Sequence, residues 1–112
     1  MVKKRRWAFI EAAAQWVPWV LREAESRFKT AGKPLPEDVL HRYKIYITCQ
    51  TNDDLPYIIQ QAGEDNFVIG TDYGHFDAAS DLDAITLLKK MDIPQQYRDK
   101  ILHHNPKTLY GL

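Results

Sequence analysis

A chain of 112 residues and 13.1 kDa has room for one small domain, taken here as residues 1–112. Fifteen Lys plus Arg balance fifteen Asp plus Glu, so the surface lacks the cationic surplus that a dedicated nucleic-acid binder needs for phosphate contacts. The 45% hydrophobic and 27% charged residues exclude a disordered chain, and no stretch approaches the ~18 consecutive apolar residues of a membrane span. The single cysteine, Cys49, rules out an intrachain disulfide and a Cys-based zinc cage, and fits a reducing, cytoplasmic setting.

Lys3 to Arg6 precede a short apolar run, Trp7 to Ile10, which Glu11 cuts before it reaches the length of a secretory core; the basic residues read as a solvated terminus. Trp7 to Ile10 is expected to be a buried strand. Val17, Val20, Leu21, Ala24, Phe28 and Ala31 then recur at helical spacing, with Pro18 in the first turn and Gly32 as the stop. Lys33 to Arg42, with two prolines, is expected to be a loop, and Lys44 to Cys49 a β-rich strand. A short helix should follow, capped by Asn52 or Asp53, carrying Leu55, Ile58, Ile59 and Ala62 and closed by Gly63. Phe67 to Thr71 reads as the next strand. Strand, helix, strand with apolar residues on consecutive positions is the mark of parallel strands covered on both faces. Beyond a polar stretch from Asp72 to Ala79, Ser80 or Asp81 should cap a helix with Leu82, Ile85, Leu88 and Met91 on its stripe. Pro94 opens another with Tyr97, Ile101 and Leu102 buried, and Asn105-Pro106 should cap a last turn ended by Gly111.

In a parallel α/β sheet the loops at the carboxyl ends of the strands share one crevice. Three such ends are expected here: Glu11, Cys49 to Asn52, and Asp72 to Asp77. The third places a carboxylate at a strand terminus with an imidazole, His75, three residues on. Carboxylate oxygen and neutral imidazole nitrogen are the donors that a divalent metal prefers, although an Asp at this place is also a common turn former. Cys49 reads as a small buried residue, and the adjacent His103 and His104 as an ordinary helix C-terminus.

These residues carry a resemblance. Val68-Ile69-Gly70-Thr71-Asp72-Tyr73-Gly74-His75, with the tail from Lys100 to Leu112, resembles the end of an amidohydrolase-related protein. The branch is that of metal-dependent hydrolases and decarboxylases related to aminocarboxymuconate-semialdehyde decarboxylase. Phe9-Ile10-Glu11-Ala12 and Trp16 to Leu21 resemble its sixth strand and the start of its sixth helix. The resemblance implies an α/β fold that is part of a (β/α)8 TIM barrel, roughly strands six to eight with their helices. It implies Asp72 as metal ligand and catalytic proton acceptor, with Glu11, Trp16 and His75 facing a small-molecule substrate. Gly74 stands where the family usually has proline, and Thr71 where it has serine.

A complete barrel takes about 250 residues, and the family's His-x-His pair is missing: His41, His75, His103 and His104 are the only histidines. The cofactor implied is a divalent metal, zinc foremost, held only when other residues or chains complete the site. Alone, the chain is expected to be inactive, because one Asp is not a three- or four-ligand site. Two readings follow. The first is the C-terminal portion of a metal-dependent hydrolase or non-oxidative decarboxylase that awaits a missing N-terminal barrel half. The alternative is a catalytically silent module that keeps the βαβ core and self-associates as a homo-oligomer, covering its open strand edges.

Overall fold

The structure, a computed structural model, describes residues 5–71 and 82–112. Three parallel strands form one sheet in the order β1 (Trp7–Phe9), β2 (Ile45–Cys49), β3 (Phe67–Ile69), with Phe9 opposite Ile47 and Cys49 opposite Ile69. Around it lie α1 (Val17–Thr30), α2 (Val39–Tyr43), α3 (Leu55–Ala62), α4 (Ala84–Lys90), α5 (Gln95–Asp99) and α6 (Asn105–Tyr110). The α/β class and the parallel sense agree with the sequence. The core is one cluster in which Ile47, Cys49 and Phe67 from the sheet meet Val17, Leu55, Ile58, Leu88 and Ile101 from the helices. Burial of five large aliphatic side chains from four separate helical segments, each worth about 1.5–3 kcal/mol, holds those segments on the sheet.

Several boundaries differ from the expectation, each for a visible reason. β1 is not buried: all three of its residues are exposed, whereas β3 at the opposite edge is covered by the helical segment that carries Ile101 and Asn105. The expected loop from Lys33 to Arg42 contains the start of α2. Leu40 buries its side chain there, and its carbonyl accepts from Asn66 Nδ2 at 3.1 Å, so a long-range contact stabilises a turn with no local signal. Val20 on α1 and Ala31 just after it lie exposed although they fall on the apolar stripe, and Leu82 before α4 and Ile85 on it do the same while Ala84 and Leu88 are buried. Asp83 is the residue that precedes α4; the expected caps Ser80 and Asp81 lie outside the described residues.

Asn105 is not a helix cap. The backbone runs helically from α5 through a π turn at Lys100–His104 into α6, and Asn105 N–H donates to Lys100 O, five residues back. Pro106 explains the wider turn: it has no N–H to give to Leu102, and its ring would crowd that carbonyl in a regular helix. His103 and His104 therefore sit in the middle of a helix and not at its end. Asn105 is buried, and its Nδ2 donates to Glu64 O at 2.9 Å and Phe67 O at 2.8 Å, fastening the helix to the entry of β3. Lys100 adds ion pairs to Glu64, at 2.9 Å, and to Asp65.

The cap of α3 is Asp54, whose Oδ1 accepts from Tyr57 N at 3.3 Å. Asp53, expected in that role, is buried and turned to the loop after β1 instead. Its carboxylate accepts from Ala14 N at 2.9 Å, Gln15 N at 3.2 Å and Gln50 N at 2.7 Å. Gln15 answers with its own side chain, its Oε1 accepting from Asp54 N at 2.8 Å. Truncating Asp53 strands three donors in a poorly solvated place, so Asp53→Ala should cost about 3 kcal/mol. Urea unfolding should show the midpoint fall with the slope unchanged; an unaltered midpoint would refute the role.

Candidate functional site

A cleft of about 170 Å³ opens at the carboxyl ends of the three strands. Its wall takes Ile10 and Glu11 from the end of β1, Gln50 from the end of β2, and Gly70 from the end of β3. Pro106 and Tyr110 of α6 close it from the side. The Asp53 bridge lies beneath this rim, tying the loop after β1 to the loop after β2.

The loop after β1 holds an unusual backbone. Glu11 and Ala13 have φ of +63° and +56°, a region that costs a residue with a Cβ about 1–2 kcal/mol. One long-range partner and one local side chain hold the segment there: the Asp53 carboxylate takes the N–H groups of Ala14 and Gln15, and Trp16 Nε1 donates to Ala13 O at 2.8 Å and Ala12 O at 3.0 Å. Strain sustained in this way is typical of loops that position functional groups. Ala13→Gly relieves the steric part without touching a hydrogen bond, and should raise stability by about 0.5–1 kcal/mol in thermal unfolding. A lower stability would refute the strain.

Of the residues singled out in the sequence, Glu11 reaches the cleft. Trp16 does not line it: its ring packs edge-on against Phe9, with centroids 5.7 Å apart, beside a separate apolar groove between β1 and α1. Asp72 and His75 lie outside the described residues. Gln50 belongs to the strand end Cys49 to Asn52 expected at the crevice but was given no role, and Pro106 and Tyr110 were missed as lining residues. Gln50 had a signal, its place at a strand end, whereas Tyr110 arrives from the far end of the chain by packing alone. Among the described residues, no group of three or more His, Cys, Asp or Glu side chains could hold a metal ion. The described residues thus do not by themselves fit the metal that the resemblance implies.

Cys49 also lines the cleft, yet burial pushes its thiol up to about 12, and the neighbouring Asp53 carboxylate acts in the same direction. The uncharged thiol is a poor nucleophile and a poor ligand. The raised value stabilises the fold fully below the ordinary value of 9.0, and this contribution is lost as pH climbs through about 12. Cys49 should therefore resist thiol reagents at neutral pH in the folded protein and react stoichiometrically in denaturant; rapid native labelling would refute its protection.

No protein-family model matches the chain, and neither does any curated protein. Solved structures do. The chain superposes on a crystal structure of an amidohydrolase from Mycobacterium avium subsp. paratuberculosis with a TM-score of 0.73 and 21% sequence identity. The match covers 93% of this chain and 27% of that one. The shared feature is the fold. This chain spans about a quarter of the length of the solved protein it matches, and its cleft is correspondingly small. Small-molecule pockets commonly measure about 300–1,000 Å³, so the cleft has the size of one wall of such a pocket. No helix among the described residues is long and apolar enough to cross a membrane.

Proposed function

We propose that the chain is the C-terminal portion of a (β/α)8 amidohydrolase-type enzyme, a cytoplasmic metal-dependent hydrolase or non-oxidative decarboxylase acting on a small molecule. The observation that carries the reading is the strand-end cleft on a three-stranded parallel sheet whose fold matches part of an amidohydrolase over nearly all of this chain. In a completed barrel Asp72, which follows Val68-Ile69-Gly70-Thr71 in sequence, supplies one metal ligand and accepts a proton. Glu11 of the cleft and His75 take the substrate-facing roles that the resemblance implies, and Trp16 supports the loop that carries Glu11. The metal, zinc by the donor types, would polarise the substrate or activate water; its other ligands come from outside this chain. Hydrolysis and decarboxylation share this ligand logic, and the fold does not choose between them.

The described residues hold no ligand set, and the chain alone should be inactive. Elemental analysis after purification in the presence of zinc should find well under one metal per chain, and Asp72→Asn should leave its unfolding curve unchanged. In a barrel completed with the preceding strands of an amidohydrolase, the same substitution should abolish turnover. Stoichiometric metal on the chain alone that disappears in Asp72→Asn would mean that copies assemble a working site, and would overturn the proposed inactivity. Full turnover of the completed Asp72→Asn barrel would overturn the ligand assignment.

The alternative, a silent module that self-associates, is favoured by one observation: the exposed, apolar β1 at the edge of the sheet.

A further inference from the structure

Between α1 and α3 lies a second pocket, of about 390 Å³, closed by the segment that runs from Leu35 into α2. It shares no residue with the strand-end cleft and falls in the ordinary range of small-molecule sites, about 300–1,000 Å³. Buried Pro18 and Ile59, with half-buried Leu21, give it an apolar floor. Its charged residues are Arg22 and Glu25 of α1 and Asp38 just before α2. All three are exposed, and among the described residues none of them forms an ion pair. Arg22 and Glu25 stand three residues apart, a spacing at which opposite charges on a helix can meet, yet they stay separate. Asp38 holds the position from which an Asp ordinarily accepts an N–H of the following helix, and its side chain makes no such bond. Charges of both signs are therefore uncommitted around one apolar floor.

We propose that this pocket binds a free basic amino acid of the lysine type. Two carboxylates and one guanidinium complement two cations and one anion. A bare metal ion would meet the Arg22 guanidinium, and a purely anionic ligand would meet the two carboxylates. In an amino acid one carbon carries both the carboxylate and the ammonium, and α1 offers their complements one helical turn apart. Arg22 takes the carboxylate, for which its planar fork of donors is suited, and Glu25 takes the ammonium. The floor of Pro18, Leu21 and Ile59 receives the aliphatic stem. Asp38, which comes from a separate element, takes the terminal ammonium. The pocket and the catalytic reading have no residue in common, so either can fail without the other.

Calorimetric titration of the full chain with L-lysine should find one site per chain. Norleucine, which keeps the stem and loses the terminal ammonium, should bind about tenfold more weakly, and so should cadaverine, which loses the carboxylate. Asp38→Asn should weaken lysine about tenfold and leave norleucine unchanged. Arg22→Gln should weaken both amino acids and leave cadaverine no weaker. Both positions are exposed, so the urea midpoints of the two variants should match the wild type. Absence of lysine binding up to about 10 mM overturns the proposal. Lysine, norleucine and cadaverine bound alike by the wild-type chain overturn the ligand class, a comparison that needs no variant to fold. Lysine affinity that survives both substitutions overturns the site.

Discussion

The carboxylate of Asp53 is the constraint on which the site depends. A three-stranded parallel sheet leaves the loops at its carboxyl ends to find their own positions, and nothing in the ladder orders them relative to one another. Asp53 does so by accepting from both loops at once, with Ala14 and Gln15 on one side and Gln50 on the other. A buried carboxylate with three charge-assisted donors is stable only when all three remain in place. The return bond from Gln15 to Asp54 makes the clasp reciprocal. Glu11 and Gln50 stand on either side of this clasp, and the strained backbone at Glu11 and Ala13 persists because the clasp holds its far end.

What the sequence disclosed was decided by local patterning. β2, α3 and β3 were legible because their apolar residues, proline and glycine all agree with one register over a few residues. The parallel sense followed from strands apolar on both faces. What escaped was decided by partners distant in sequence. Asp53 carries the residue type of a helix cap at the place of a helix cap, and only the loop 38 or 39 residues earlier turns it to another use. α2 exists because Asn66 and the core receive Leu40, and nothing within the prolyl segment announces it. β1 was read as buried on its composition, yet burial depends on what packs against a strand, and Trp7 is exposed while Phe67 on the opposite edge strand is covered. The candidate site was legible in part: Glu11 lines the cleft, Trp16 serves the loop instead, and the wall contributed by Tyr110 has no trace in its own neighbourhood.

Size links the fold to its function. Among the described residues, the cleft of about 170 Å³ is walled by three strand ends and one helix. Chemistry on a small molecule needs groups that converge from several directions, so the catalytic reading requires further strands.

The π turn between α5 and α6 has a consequence for how this chain tolerates change in length. A π turn holds one residue more than the α-helical turn it replaces, so the extra residue is taken up within the turn and the helix continues beyond it in nearly the same phase. Ile101 faces the core on one side of it, and Asn105 and Tyr110 reach β3 and the cleft on the other. Pro106 would still lack an N–H in a chain one residue shorter, so the loss of a residue here leaves the missing bond where it is. The segment is thus a place where the helix holds an additional residue without turning Asn105 or Tyr110 away from the site.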